Sequence, residues 1–313
     1  MPMEQALFVR IARALAASLI TLSAVAFAQE PKVDIPADQQ AFVDICKPWD
    51  EWDKPAPPFE IYRDTYYVGT CGIAAILITD EEGHILIDSG TEAGADVVMA
   101  NVAALGFDLK DVRYLLYSHE HFDHVGGMAK LQRATGALVV ASKAAEPVLT
   151  SGEDSLADPQ HGMHEPFEGV AVGRIMAAGD ILELGGTTIR AIETPGHTPG
   201  AMSWWWQECK ERCENIVYAD SLSPISRDDY RFGDHPEYVA AYRAGLVALG
   251  REDCTVLLTP HPSHSRMIRR MQEGDLIENR QGTRPCARYA GQKLLDLETR
   301  LSNETLSEED RAQ

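Results

Sequence analysis

The sequence predicts an α/β fold, a layered αββα domain, on three observations. Apolar runs of strand length, bounded by turn residues, occur in both halves of the chain. Helical periodicity follows the strands in each half. The chain then closes on an amphipathic stripe, with Cys286, Ala290, Leu294, Leu297 and Leu301 at intervals of three or four. Residues 1–28 read as an export signal: Arg10 and Arg13 precede the apolar run Ala14 to Phe27, and small residues Ala26 and Ala28 flank a cut before Gln29. A single domain is expected over 29–313. Residues 31–60, rich in Pro and Trp without clear periodicity, read as an arm laid across that domain, with no legible folding of their own. From Tyr66 the pattern changes to strands: Ile73 to Thr79, a turn at 80–83, then His84 to Ile87, which together make a hairpin ending at Asp88-Ser89-Gly90. Residues 92–105 read as a helix and Val112 to Tyr117 as a buried strand, with Gly126-Gly127 opening a further helix. In the second half strands are expected near 187–193, 202–206 and 215–219, then a helix near 236–249, a strand at Thr255 to Leu258, and the last helix.

The chain carries 28 basic and 48 acidic side chains, a formal charge of −20. Removing Glu4, Arg10 and Arg13 with the signal leaves 26 and 47, or −21. Such a surface repels nucleic acid. No stretch approaches the ~18 uninterrupted apolar residues of a membrane helix, so no membrane insertion is expected after signal cleavage. The expected compartment is the periplasm. Six cysteines in an exported chain read as three disulfides. They could pair in about fifteen ways; sequence proximity suggests Cys46 with Cys71, Cys209 with Cys213, and Cys254 with Cys286. The short Cys209–Cys213 spacing is better read as a stapled hairpin end than as a redox or zinc motif.

His119-Glu120-His121-Phe122-Asp123-His124 packs three imidazoles and a carboxylate into six residues, a density that points to a metal and hence to a zinc hydrolase. On an extended stretch His119, His121 and Asp123 would share a phase and His124 would face the other way, so that one segment serves two ions. Nitrogen and carboxylate ligands without thiolate suit a catalytic zinc site with an open position. His197, in Thr194-Pro195-Gly196-His197-Thr198-Pro199-Gly200, and His261, in Thr259-Pro260-His261-Pro262, complete five His and one Asp. Two zinc ions with three protein ligands each require that number. His264 competes with His261 on proximity alone. His161 and His164 read as solvated loop residues, and Trp204-Trp205-Trp206 as core and sheet surface.

The HxHxDH run, the downstream Gly-His-Thr and the late Pro-His-Pro resemble the metallo-β-lactamase superfamily over essentially the whole mature chain, and within it subclass B3, of the three-disulfide imipenem-hydrolysing type. The resemblance implies the four-layer αββα sandwich of that family and two zinc ions per chain. His119, His121 and His197 would hold the first ion, and Asp123, His124 and His261 the second, since Tyr218-Ala219-Asp220-Ser221-Leu222-Ser223 offers no cysteine ligand. It further implies that Ser221 and Ser223 receive the substrate carboxylate, that Gln160, in a mobile loop over 150–168, contacts substrate, and that Asp88 orients a ligand imidazole. The implied substrates are β-lactams: carbapenems, penicillins and cephalosporins. The implied reaction forms no covalent intermediate. The metals lower the pKa of a shared water to about 7, the resulting hydroxide attacks the β-lactam carbonyl, and Asp123 orients it and shuttles its proton. The protein would act as a monomer and confer antibiotic resistance. Thioesterases and lactonases of the superfamily use an Asp bridging both metals, and Asp220 would fill that role if the alignment slid by one residue. A non-enzymatic zinc-binding protein is disfavoured by the open site.

Overall fold

The computed structural model describes residues 35–274, 276 and 284–311, all within one compact unit spanning Val33–Gln313. The expected signal peptide lies outside the described residues. The arm contains one helix, α1 (Ala37–Ile45), then the antiparallel pair β1 (Phe59–Tyr62) and β2 (Thr65–Tyr67). The sheet continues through β3 (Ile76–Asp80) and β4 (Gly83–Ile87) and, after α2 (Gly94–Ala104), reaches β5 (Val112–Leu116). The one-turn α3 (Phe122–Val125) and α4 (Met128–Thr135) precede β6 (Leu138–Ala141); α5 (Glu146–Ser151) precedes β7 (Val172–Ile175). These seven strands lie in chain order, antiparallel from β1 to β4 and parallel from β4 to β7. The second sheet comprises β8 (Ile181–Leu184), β9 (Thr187–Glu193), β10 (Met202–Cys209), β11 (Cys213–Tyr218) and β12 (Val256–Leu258), in the order β12-β11-β10-β9-β8. Only β11 and β12 are parallel, because α6 (Pro236–Arg251) crosses between them. α7 (Met267–Gln272) and α8 (Pro285–Arg311) complete the described chain.

The four-layer reading is borne out. Ile76, Ile78, Ile85 and Ile87 of the first sheet share one buried core with Ile189, Ala191, Trp204 and Trp206 of the second. On the outer side of the second sheet, Val217 and Leu257 pack with Tyr242, Leu246 and Leu249 of α6 and Leu297 of α8. The triple-Trp strand divides by alternation: Trp204 and Trp206 are fully buried between the sheets, while Trp205 packs on the helical side, with Arg190 over its ring. Each fully buried isoleucine or leucine of these cores contributes roughly 1.5–3 kcal/mol.

Strand boundaries differ from expectation where other forces intervene. Residues 73–75 form a loop instead of opening β3, since Cys71 is disulfide-bonded to Cys46 and Val68 N and Thr70 N donate to the carbonyls of Ala75 and Ile73. Strands β6, β7 and β8 were not expected; they are short, and β7 and β8 alternate only weakly between buried and exposed positions. All three expected disulfides are present. Cys209 and Cys213 are register partners at the end of the β10–β11 hairpin, and Cys254–Cys286 ties the turn before β12 to the start of α8.

Candidate metal centre

The site lies beyond the carboxyl ends of β4 and β5. After β5 the chain runs through Tyr117 and Ser118 to His119 and on to His121, whose own backbone is extended, and then winds into α3, with His121 at its N-cap. The expectation of strict alternation is therefore corrected. A helical turn, not a strand pleat, presents Asp123 and His124, and this brings both residues back toward His119.

One ligand atom from each of His119, His121 and His197 lies within 4.8 Å of the others, and so does one from each of His119, Asp123 and His124. The second group is completed by His261. His124 Nε2 stands 3.0 Å from Asp123 Oδ2 and 3.4 Å from His261 Nε2, which is itself 3.4 Å from Asp123 Oδ2. His264 does not join it; its ring packs between His261 and Trp49, with centroids 5.1 and 5.3 Å away.

The outward nitrogen of each ring faces an acceptor. His119 Nδ1 is 2.8 Å from Asp220 Oδ1, off the axis of an ideal hydrogen bond. His121 Nε2 is 2.9 Å from Asp158 Oδ2, and His197 Nδ1 is 2.9 Å from the Ser223 carbonyl. His124 Nδ1 is 3.3 Å from Asp88 Oδ2. An acceptor on one nitrogen places the proton there and turns the other nitrogen's lone pair inward, as metal ligation requires. His119 Nε2 is buried with no hydrogen-bond partner. That orphaned inward nitrogen and the all-N/O donor set fit zinc in both groups.

Electrostatics agree. Burial, then the neighbouring imidazoles, push His119 and His197 well below the ordinary histidine range, so both rings are neutral. His124 behaves oppositely. Burial works against its charge, but Asp123 and Asp88 prevail and hold it at about 10. Asp123 in turn sits below the usual carboxylate range because His124 outweighs its burial. Asp88, fully buried at a left-handed φ of 64°, accepts from Ser118 N, Ser118 Oγ and Tyr218 OH at 2.6, 2.8 and 2.7 Å.

Two supporting residues, Glu120 and Asp158, had no sequence signal. Glu120, 3 % exposed, accepts from Thr198 Oγ1 at 2.6 Å and Gly200 N at 2.8 Å, locking the His197 loop to the first ligand segment. Asp158 grips His121, and burial pushes Asp220 up to about 7 against amide donors from Leu222 and Ser221. Gln160 Nε2 is 3.5 Å from both ring nitrogens of His197, the geometry of a contact with the ring. Ser221 Oγ is buried and unpartnered, and Ser223 Oγ accepts from Lys293. The reading of His164 as solvated is corrected: its ring centroid is 4.2 Å from that of His121 and its Nε2 is buried, because Asp158 and Gln160 draw the 150–168 loop onto the site. His161 is partly exposed and pairs with Asp154 at 3.1 Å.

A layered fold with this ligand pattern defines a class, and comparison with known proteins places the chain in it. Residues 68–210 match the metallo-β-lactamase superfamily, and the chain belongs to that family. The solved structure of the MIM-2 metallo-β-lactamase is 50 % identical, with TM-score 0.83, covering 87 % of this chain and 100 % of that one. MEM-A1, a subclass B3 metallo-β-lactamase from a soil metagenome library, is 36 % identical with TM-score 0.77, covering 82 % and 100 %. A hydroxyacylglutathione hydrolase of Rhodopseudomonas palustris (strain BisB18) is 30 % identical over 166 residues, 51 % of this chain and 54 % of that protein. The chain spans about half the length of the first curated relatives it matches.

Proposed function

We infer that the protein hydrolyses the β-lactam amide bond, carbapenems included, with two zinc ions held by His119, His121 and His197 and by Asp123, His124 and His261. The observation that carries this reading against a thioesterase or lactonase is the position of Asp220. Its carboxylate faces His119 Nδ1, on the outward side of that ring, and belongs to neither ligand group. When bound, the metals would supply a nucleophile from water at neutral pH and polarise the carbonyl. The chain's own residues do the rest. Asp123 orients the attacking water and carries its proton toward the departing ring nitrogen. Ser221 and Ser223 receive the substrate carboxylate, Gln160 contacts substrate beside His197, and Asp88 and Asp158 hold imidazoles in the ligating tautomer. No nucleophilic serine is involved.

The three disulfides suit an oxidising compartment, in keeping with export to the periplasm by residues 1–28. Among the described residues no helix is long and apolar enough to cross a membrane. The protein is proposed to work there as a monomer that protects its host from β-lactams. The test is hydrolysis of a carbapenem, a lactone and a glutathione thioester side by side by zinc-loaded protein. Carbapenem turnover abolished by chelation, restored by zinc and untouched by serine-acylating inhibitors is expected. Turnover of the lactone or thioester alone would overturn the reading.

A further inference from the structure

The last helix brings a buried cation to the serine segment. Lys293 lies on α8 two turns after Cys286, and is 7 % exposed. Its Nζ donates to Ser223 Oγ at 2.7 Å and stands 5.3 Å from the Tyr289 ring centroid. Tyr289 braces the same segment, donating to the carbonyls of Ser221 and Asp220 at 2.7 and 2.9 Å. Among the described residues no carboxylate forms an ion pair with Lys293; Asp296 and Asp220 act on it only from a distance. A buried ammonium has three donors to satisfy and a large desolvation cost. One neutral hydroxyl and one aromatic face are incomplete compensation. In the same segment as Ser223, the buried Ser221 Oγ has no hydrogen-bond partner. An uncompensated cation and an unused hydroxyl at the edge of the metal centre form a receptor that lacks only an anion.

We propose that Lys293 is the cationic half of the carboxylate receptor and, with Ser221 and Ser223, selects acidic substrates over their neutral esters. The proposal rests on the β-lactamase reading of the site. By donating to Ser223 Oγ, the ammonium polarises that hydroxyl and strengthens it as a donor to an incoming carboxylate. Its charge also offsets the repulsion that an anion meets at a strongly acidic protein.

The test compares a carboxylate-bearing β-lactam with its methyl ester on zinc-loaded wild type, Lys293→Met and Lys293→Arg. The acid-to-ester ratio of kcat/KM should fall about ten- to a hundredfold in Lys293→Met, the range of a charge-assisted hydrogen bond. The fall should lie in KM, and Lys293→Arg should recover most of it. An unchanged ratio overturns the proposal. A calorimetric titration with mercaptoacetate and its methyl ester reads the same preference without turnover. If wild type hydrolysed no β-lactam, the β-lactamase reading would fall while this titration still decided the role of Lys293: a preference for the acid lost in Lys293→Met supports it, and one retained refutes it. Removing an uncompensated buried charge should leave the thermal midpoint of Lys293→Met at or above that of wild type. Should Met fail to fold, Lys293→Gln, which keeps a donor to Ser223 without the charge, is read identically.

Discussion

Replacing His261 by Ala should remove one metal site, whereas replacing His264 by Ala should leave both. The reasoning is geometric. Zinc–ligand bonds of about 2.0–2.1 Å in a tetrahedral arrangement place neighbouring ligand atoms roughly 3.3 Å apart. Asp123 Oδ2, His124 Nε2 and His261 Nε2 form a triangle with edges of 3.0, 3.4 and 3.4 Å, close to one face of such a tetrahedron. Removing His261 leaves two of three protein ligands. Even residues that merely support a ligand are worth about 10–100-fold in metal affinity, so loss of the ligand itself should weaken the site by about a hundredfold or more. His264 forms part of the wall behind His261, against Trp49, and its removal leaves all three edges intact. The assay is a zinc titration of metal-free protein against a competing chelator. Wild type and His264→Ala should approach two ions per chain and His261→Ala one. The reverse pattern, with His264→Ala losing the ion, would refute both the ligand assignment and the geometric argument behind it.

Glu120→Gln should weaken zinc at the first site about 10–100-fold and spare the second, because Glu120 ties the His197 loop to the first ligand segment; equal losses at both sites in the same titration would count against this. Opening Cys254–Cys286, which spans 32 residues, should cost about 4 kcal/mol by loop entropy; a denaturation midpoint equal to wild type in the double Ala variant would contradict it. Metal-free protein should lose stability as pH rises. The folded pKa of His124 is raised from 6.5 to about 10, so its contribution is complete below 6.5 and lost on the way to about 10. Zinc uptake in that window should release a proton from His124, measurable as a buffer-dependent heat, and absence of proton release would sink the account.

The layers and the ligands were legible for the same reason: both are written in local patterns. Buried strands such as β3 and β4 are short, largely apolar runs, and four candidate ligands stand within six residues. What the pattern could not reveal was the backbone that turns ligands into a site. Alternation predicted the wrong mechanism for Asp123 and His124, since a single helical turn capped at His121 is too short to leave a periodic trace. The groups that fix the tautomers were less legible still, because each meets its ring across long stretches of chain. Asp88 is 36 residues from His124, Asp158 is 37 from His121, Asp220 is 101 from His119, and Lys293 reaches Ser223 from 70 residues away. Apart from Asp88, which the family resemblance singles out, a carboxylate among 48 acidic residues carries no mark of such a role. It becomes distinctive only once the fold strips it of water and sets it on the outer nitrogen of an imidazole. There its position bears on the proposed chemistry: Asp220, 2.8 Å from His119 Nδ1, is placed to orient a candidate ligand, whereas the same residue one position along the chain would be read as a bridge between metals.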